Sequence, residues 1–425
     1  MTHPLHSETI AVHQGFRGDE TNSIVRPIHT STAYHFNDAD HGADLFNLAA
    51  VGNIYSRLTN PTNDALGNVV SDLEGGIGGL SVASGASAIL ITVLTLCSSG
   101  DHIVSSKSIY GGTYSLFSNT LKTLGIDVTY VDPNAPQEEI QQTIQPNTKL
   151  LFAEIIGNPK VDVLDVEKFS ALAKANDIPF VVDSTFTPPA IFKPLQHGAD
   201  IVVHSATKYL GGHGNALGGI IVDGGSFDWT SGKFPSFTEA QEAYHGLVYS
   251  EAFGNLAFLI KARAHILRDV GSALSPFNAF LILQGIQTLH IRLDYVSKNA
   301  LALAEWLENH PDVEWVSYPL LKSNPDYDRI KNYFPKGAGA ILAFSIKGGR
   351  EKSRTFINSL KLGIHAVNVG DVRTIVTHPA STTHRQAPAE ELKNLGISEG
   401  FIRISVGLEN IEDIKADLDQ ALSQK

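Results

Sequence analysis

Ala199-Asp200-Ile201-Val202-Val203-His204-Ser205-Ala206-Thr207-Lys208 runs an apolar, β-branched stretch straight into a lysine framed by hydroxyl residues. The stretch reads as a strand buried on both faces, because it lacks the polar alternation of a half-exposed one. Upstream, Pro179-Phe180-Val181-Val182-Asp183 has the same form and ends in a carboxylate. Further strands are predicted at residues 102–105, 128–131, 150–153 and 219–222. A helix is predicted over 165–176, where Val166, Phe169, Leu172 and Ala173 share one face and Asp165 can cap. Strands alternating with helices predict an α/β fold with a mostly parallel central sheet covered on both faces. Ligands of such sheets sit at the carboxyl ends of the strands, where Glu154, Asp183 and Lys208 fall.

A lysine at a strand end with Ser205 and Thr207 beside it suits the attachment of pyridoxal phosphate through a Schiff base, the hydroxyls holding the phosphate. Asp183, one strand away, would pair with the pyridine nitrogen and keep it protonated, which makes the ring an electron sink. Singly, each residue has a plainer reading. A lysine after a strand is usually a solvated surface group, and an aspartate there a turn or helix cap. The order of the two within a Ser/Thr/Gly frame favours the cofactor reading.

A chain of 425 residues exceeds what one core supports, so two domains and an arm are expected. Residues 1–65 lack periodicity and are expected to form an arm that packs on a neighbouring subunit. Residues 66–265 form the large cofactor-binding domain, and 266–425 a smaller C-terminal α+β domain. In the latter, helical patterns cover 281–293 and 299–308, strands 314–318, 340–346, 375–378 and 402–406, and a helix 411–422. A net charge of −12 argues against nucleic-acid and anionic-membrane partners. Cys97 is the single cysteine, which excludes an intrachain disulfide and a cysteine-based metal site. The apolar stretch 89–97 is too short for the ~20 residues that span a bilayer, and residues 1–8 lack the pattern of a signal peptide, so a cytoplasmic location is expected. His204 and His213 flank the lysine without tight ligand spacing, and no metal is expected.

Several further motifs stand in fixed order. They are Tyr55-Ser56-Arg57-Leu58-Thr59-Asn60-Pro61, Ser84-Gly85-Ala86, Tyr110-Gly111-Gly112-Thr113-Tyr114, Glu154 with Asn158-Pro159, and Phe401-Ile402-Arg403-Ile404-Ser405. With the aspartate and lysine segments, the chain resembles, nearly end to end, the cysteine/methionine-metabolism group of pyridoxal-phosphate enzymes. The resemblance implies the aspartate-aminotransferase-like fold (fold type I) and pyridoxal 5′-phosphate as cofactor. It implies that Ser84, Gly85 and Ala86 cradle the phosphate at a helix start, that Tyr110 stacks on the pyridine ring as a candidate proton donor, and that Asn158 lies beside the phenolic oxygen. It further implies that Tyr55 and Arg57 reach the phosphate from the neighbouring subunit, within a homotetramer built from active-site-sharing dimers. Arg403 matches the arginine that forks onto the substrate carboxylate.

Late in the chain, Asn368-Val369-Gly370-Asp371-Val372-Arg373-Thr374-Ile375 departs from the family's common Ser-Leu-Gly-Gly-x-Glu-Ser-Leu. That version, with the 227–235 insertion, resembles the O-acetylhomoserine sulfhydrylase branch, and adds Arg373 and Thr374 to the expected substrate site. The resemblance implies conversion of O-acetyl-L-homoserine and sulfide, or a thiol, to homocysteine or methionine and acetate, in methionine biosynthesis. A methionine or cystathionine γ-lyase, a cystathionine γ-synthase, and a non-catalytic protein that kept the fold are the alternatives.

Overall fold

The computed structural model describes residues 4–15, 22–382, 385 and 397–424. Seven strands form the larger sheet: β1 (Gly78–Val82), β2 (His102–Ser106), β3 (Asp127–Val131), β4 (Thr148–Glu154), β5 (Phe180–Asp183), β6 (Ile201–Ser205) and β7 (Gly219–Asp223). Their order is β1-β7-β6-β5-β4-β2-β3. The run from β3 to β6 is parallel, whereas β7 lies antiparallel to both its neighbours. The β4, β5 and β6 runs lack alternation because both faces are packed. Val181 and Val203 meet the Gly85–Leu96 helix side, while Val182 and Val202 meet the Pro61–Glu74 and Val166–Ala175 helices. Asp165 caps the last of these by accepting the Lys168 amide at 3.0 Å.

The chain leaves β2 outward to β3 and then returns to β4. Winding therefore reverses between β2 and β4, and the loops that follow them part to leave a crevice. A smaller sheet follows: β8 (Val313–Ser317), β9 (Ile341–Ile346), β10 (Ile364–His365), β11 (Ile375–Thr377) and β12 (Phe401–Ser405), ordered β10-β11-β12-β9-β8. The 411–422 helix is present as predicted.

The structure differs from expectation at several elements, among them β10 and the helices Ser7–His13 and Ala39–Phe46, none of which was predicted. Strand β1 was not predicted, because Gly78, Gly79 and Ser81 interrupt its apolar pattern. Glycine is needed there: a Cβ at Gly79 would stand 2.2 Å from the Gly67 carbonyl oxygen. The 281–293 pattern is not one helix. Pro276–Gln287 and Leu289–Glu308 meet at Thr288, where the Arg292 guanidinium donates to the Gly285 carbonyl at 2.7 Å. A one-residue break scarcely alters apolar spacing, so periodicity passes over it. The first long helix starts at Pro61 and so takes in the last five residues of the expected arm; Asn60 accepts the amides of Thr62 and Asn63 there.

Candidate active site

The carboxyl ends of β4, β5 and β6 open onto a cavity of about 500 Å³. Ser84, Gly85, Ala86, Tyr110, Asn158, Asp183, Ser205, Thr207, Lys208 and Arg403, all expected at the site, line it together. The strands aim them. Parallel neighbours β5 and β6 end side by side, so Asp183 and Ser205 emerge on one face and Lys208 follows in the next turn.

One corner of the cavity collects hydrogen-bond donors. The Gly85–Leu96 helix begins there, and its first amides, like those of any helix, have no intrahelical acceptor. The Ser84 hydroxyl caps it by accepting the Ser87 amide at 3.1 Å. A Cβ at Gly85 would stand 2.6 Å from that of Ser205, so glycine lets the helix start close against the end of β6. Thr207 faces the same corner, its hydroxyl accepting the Gly218 amide at 3.1 Å. Amides and hydroxyls at a helix N-terminus suit a phosphate.

At the floor, the Asp183 carboxylate accepts the Thr185 amide at 2.9 Å, and the Thr185 hydroxyl accepts the Ser205 amide at 2.8 Å. Burial raises the Asp183 carboxyl above its ordinary range, and the hydrogen bonds from Thr185 oppose it. The Lys208 amine donates to the Asn368 side-chain oxygen at 2.7 Å. Burial, with the Arg403 cation adding to it, brings that amine down to about 8, within reach of the neutral form that attacks an aldehyde. Arg403, itself buried on β12, donates to the Asn158 side-chain oxygen at 2.9 Å.

Four expected residues lie elsewhere. Tyr55 and Arg57 are not among the lining residues. The Tyr55 ring is 44% exposed, the Arg57 guanidinium lies 5.6 Å from its centroid, and Arg57 also donates to the Arg268 carbonyl. Thr374 is buried outside the cavity, its hydroxyl donating to Glu409 at 2.8 Å and accepting the Gly407 amide. Arg373 forks onto Asp371 at 2.8 and 2.9 Å. Both are occupied in shaping the turns beside β11 and β12. Glu154, expected at this end of the sheet, lines it too, and so do residues not expected there: Thr185, Phe186, Leu217 and the 367–369 segment. Asn368 had one sequence signal, as the first residue of the departing motif.

A cleft of about 610 Å³ lies between the 161–168 and 316–330 segments, but it offers no comparable chemistry. Its cations serve backbone carbonyls: Lys168 those of Pro133 and Ala135, and Arg329 those of Val163 and Leu164.

Residues 8–423 match the family model described as Cys/Met metabolism PLP-dependent enzyme. The chain is 49% identical to an O-acetyl-L-homoserine sulfhydrylase of Leptospira meyeri, over 98% of this chain and 96% of that one. It is 46% identical to a homocysteine synthase of Schizosaccharomyces pombe, over 98% of each. Its structure superposes, with a TM-score of 0.96, on the crystal structure of an O-acetylhomoserine (thiol)-lyase from Campylobacter jejuni that carries a pyridoxyl-lysine monophosphate. That protein is 40% identical, over 99% of this chain and all of the other. The fold is the aspartate-aminotransferase-like fold that the sequence motifs implied.

Proposed function

The chain belongs to the Cys/Met metabolism family of PLP-dependent enzymes, and from that premise we propose that it converts O-acetyl-L-homoserine and sulfide, or a thiol, to L-homocysteine or methionine and acetate. Pyridoxal 5′-phosphate is its cofactor, and the cavity fits it: a donor-rich corner for the phosphate, a carboxylate for the ring nitrogen and a lysine for the aldehyde share one space. That convergence is the observation that carries the reading. When bound, the cofactor supplies an electron-withdrawing ring that stabilises negative charge beside the substrate nitrogen.

The chain's own residues do the rest. Ser84, the amides of Gly85 and Ala86, and the hydroxyls of Ser205 and Thr207 hold the phosphate. Asp183 keeps the ring nitrogen protonated. Tyr110 covers the ring, and Asn158 sits beside the phenolic oxygen. Arg403 takes the substrate carboxylate in a two-point fork. Lys208, once free, takes the proton from the substrate α-carbon, gives it up and, neutral again, takes the one from the β-carbon; after sulfur has added it returns protons in the reverse order. The C–O bond at the γ-carbon breaks as acetate leaves with its electron pair, and a C–S bond replaces it. Thr374 and Arg373 act here by shaping the turns from which the 367–369 segment reaches the cavity.

Tyr55 and Arg57 serve the phosphate of a second copy, within a homotetramer of site-sharing dimers. Exposed apolar residues in the same arm, Phe46, Val51 and Ile24, favour a covering partner. Residues 1–65 are that arm, 66–265 the large domain and 266–425 the small one. Among the described residues no helix is long and apolar enough to cross a membrane, and the protein works in the cytoplasm.

Product analysis tests the reading: homocysteine and acetate form from O-acetyl-L-homoserine only when sulfide is added. Mainly 2-oxobutyrate, with or without sulfide, would assign the protein to the γ-lyases instead.

A further inference from the structure

We propose that Glu154 is a positioning residue of this site: a carboxylic acid kept in its neutral form, which holds the Tyr110 backbone in place and leaves Asp183 as the cavity's carboxylate anion. The inference rests on the pyridoxal phosphate reading of the cavity.

Glu154 and Asp183 are the two carboxyl residues among those that line it. They end adjacent parallel strands in register with each other, so their side chains leave the same face of the sheet, one strand spacing apart (~4.8 Å). On adjacent strands and buried in one cavity, two carboxyl groups oppose each other's ionisation. The surroundings decide which one stays neutral. Asp183 accepts the Thr185 amide and is where the cationic ring nitrogen would sit, so its anion is matched. Glu154 is buried and accepts one amide, that of Tyr110, at 2.6 Å on one oxygen. One amide is no more than the carbonyl oxygen of a neutral acid can accept. Burial first and Asp183 second hold the Glu154 carboxyl well above the usual range, against the pull of the Tyr110 amide.

The bond ties the turn after β2 to the end of β4, across the crevice where the winding reverses. Tyr110 needs the tie. Its ring is half exposed and folds over Gly112, where a Cβ would stand 2.4 Å from a ring carbon. Ring placement therefore depends on the backbone of this turn.

Glu154→Gln keeps the length and the accepting carbonyl and cannot ionise. In the purified holoenzyme, Glu154→Gln is expected to hold pyridoxal phosphate within about twofold of wild type, with the same visible circular dichroism band. Glu154→Ala frees the Tyr110 amide and is expected to weaken the cofactor about tenfold, with a diminished band. Glu154→Gln as weak as Glu154→Ala would overturn the proposal, since charge would then be what matters. Glu154→Ala as tight as wild type, with an unchanged band, would overturn it too. Should Glu154→Ala fail to fold, the Gln variant alone decides. A wild-type protein that takes up no pyridoxal phosphate would remove the underlying reading, an outcome separate from any difference between variants.

Discussion

Arg403, buried, and Lys208, partly buried, are two cationic side chains in one cavity, and each is held by an amide oxygen, that of Asn158 or Asn368. The pairs keep each side chain extended toward the space where substrate and cofactor meet. Arg403→Lys replaces a planar fork by a point charge, so the KM for O-acetyl-L-homoserine should rise about 10- to 100-fold with a smaller change in kcat. Steady-state kinetics check this, and an unchanged KM would remove Arg403 from the carboxylate. The lowered Lys208 amine has a pH consequence. Uptake of an aldehyde needs the neutral amine, whose share grows as pH rises through its pKa. The rate at which cofactor-free protein takes up pyridoxal phosphate should therefore climb with pH about a midpoint near 8, and not near the ordinary lysine value of about 10.4. Stopped-flow absorbance follows it. Lys208 and Asp183 were legible in the sequence because each closes an apolar run. Asn368 was not legible as a contact, since it lies 160 positions from the lysine it holds.

The strands of the large sheet were legible because burial on both faces demands continuous apolar runs, and 180–182 and 201–203 supply them. Their direction was not: β7 is as apolar a run as the parallel strands β4 to β6, yet it lies antiparallel to both its neighbours. Strand β1 was hidden because close packing against the Pro61–Glu74 helix demands glycine, which carries no strand signal. Two helix starts separate function from stability. Gly85→Ala would push a Cβ into Ser205, shift the phosphate corner and weaken cofactor binding about tenfold or more. Asp165→Ala removes a cap from the Val166–Ala175 helix on the sheet's other face, costing about 1 kcal/mol of stability with kcat/KM unchanged. Thermal unfolding and cofactor titration of the two variants distinguish the roles. Equal losses of cofactor affinity would contradict the assignment of the corner.

At the scale of the whole molecule, the cavity takes its floor from the large sheet and one wall from the small one, through Arg403 and the 367–369 segment. On the proposed site-sharing dimer, Tyr55 and Arg57 of another copy would complete its phosphate corner. Lys208→Ala and Arg57→Ala should each be inactive alone. Unfolded and refolded together, they should regain about a quarter of the wild-type rate, the statistical share of intact sites in randomly mixed two-fold pairs. No recovery would place both residues in one subunit's site. Both sheets and the helix start converge on a single amine. Borohydride reduction of the holoenzyme, followed by peptide mass mapping, tests that convergence most directly. The account predicts a pyridoxyl adduct on the peptide that contains Lys208 and on no other. An adduct on another lysine, such as the buried Lys261, with the Lys208 peptide unmodified, would contradict it.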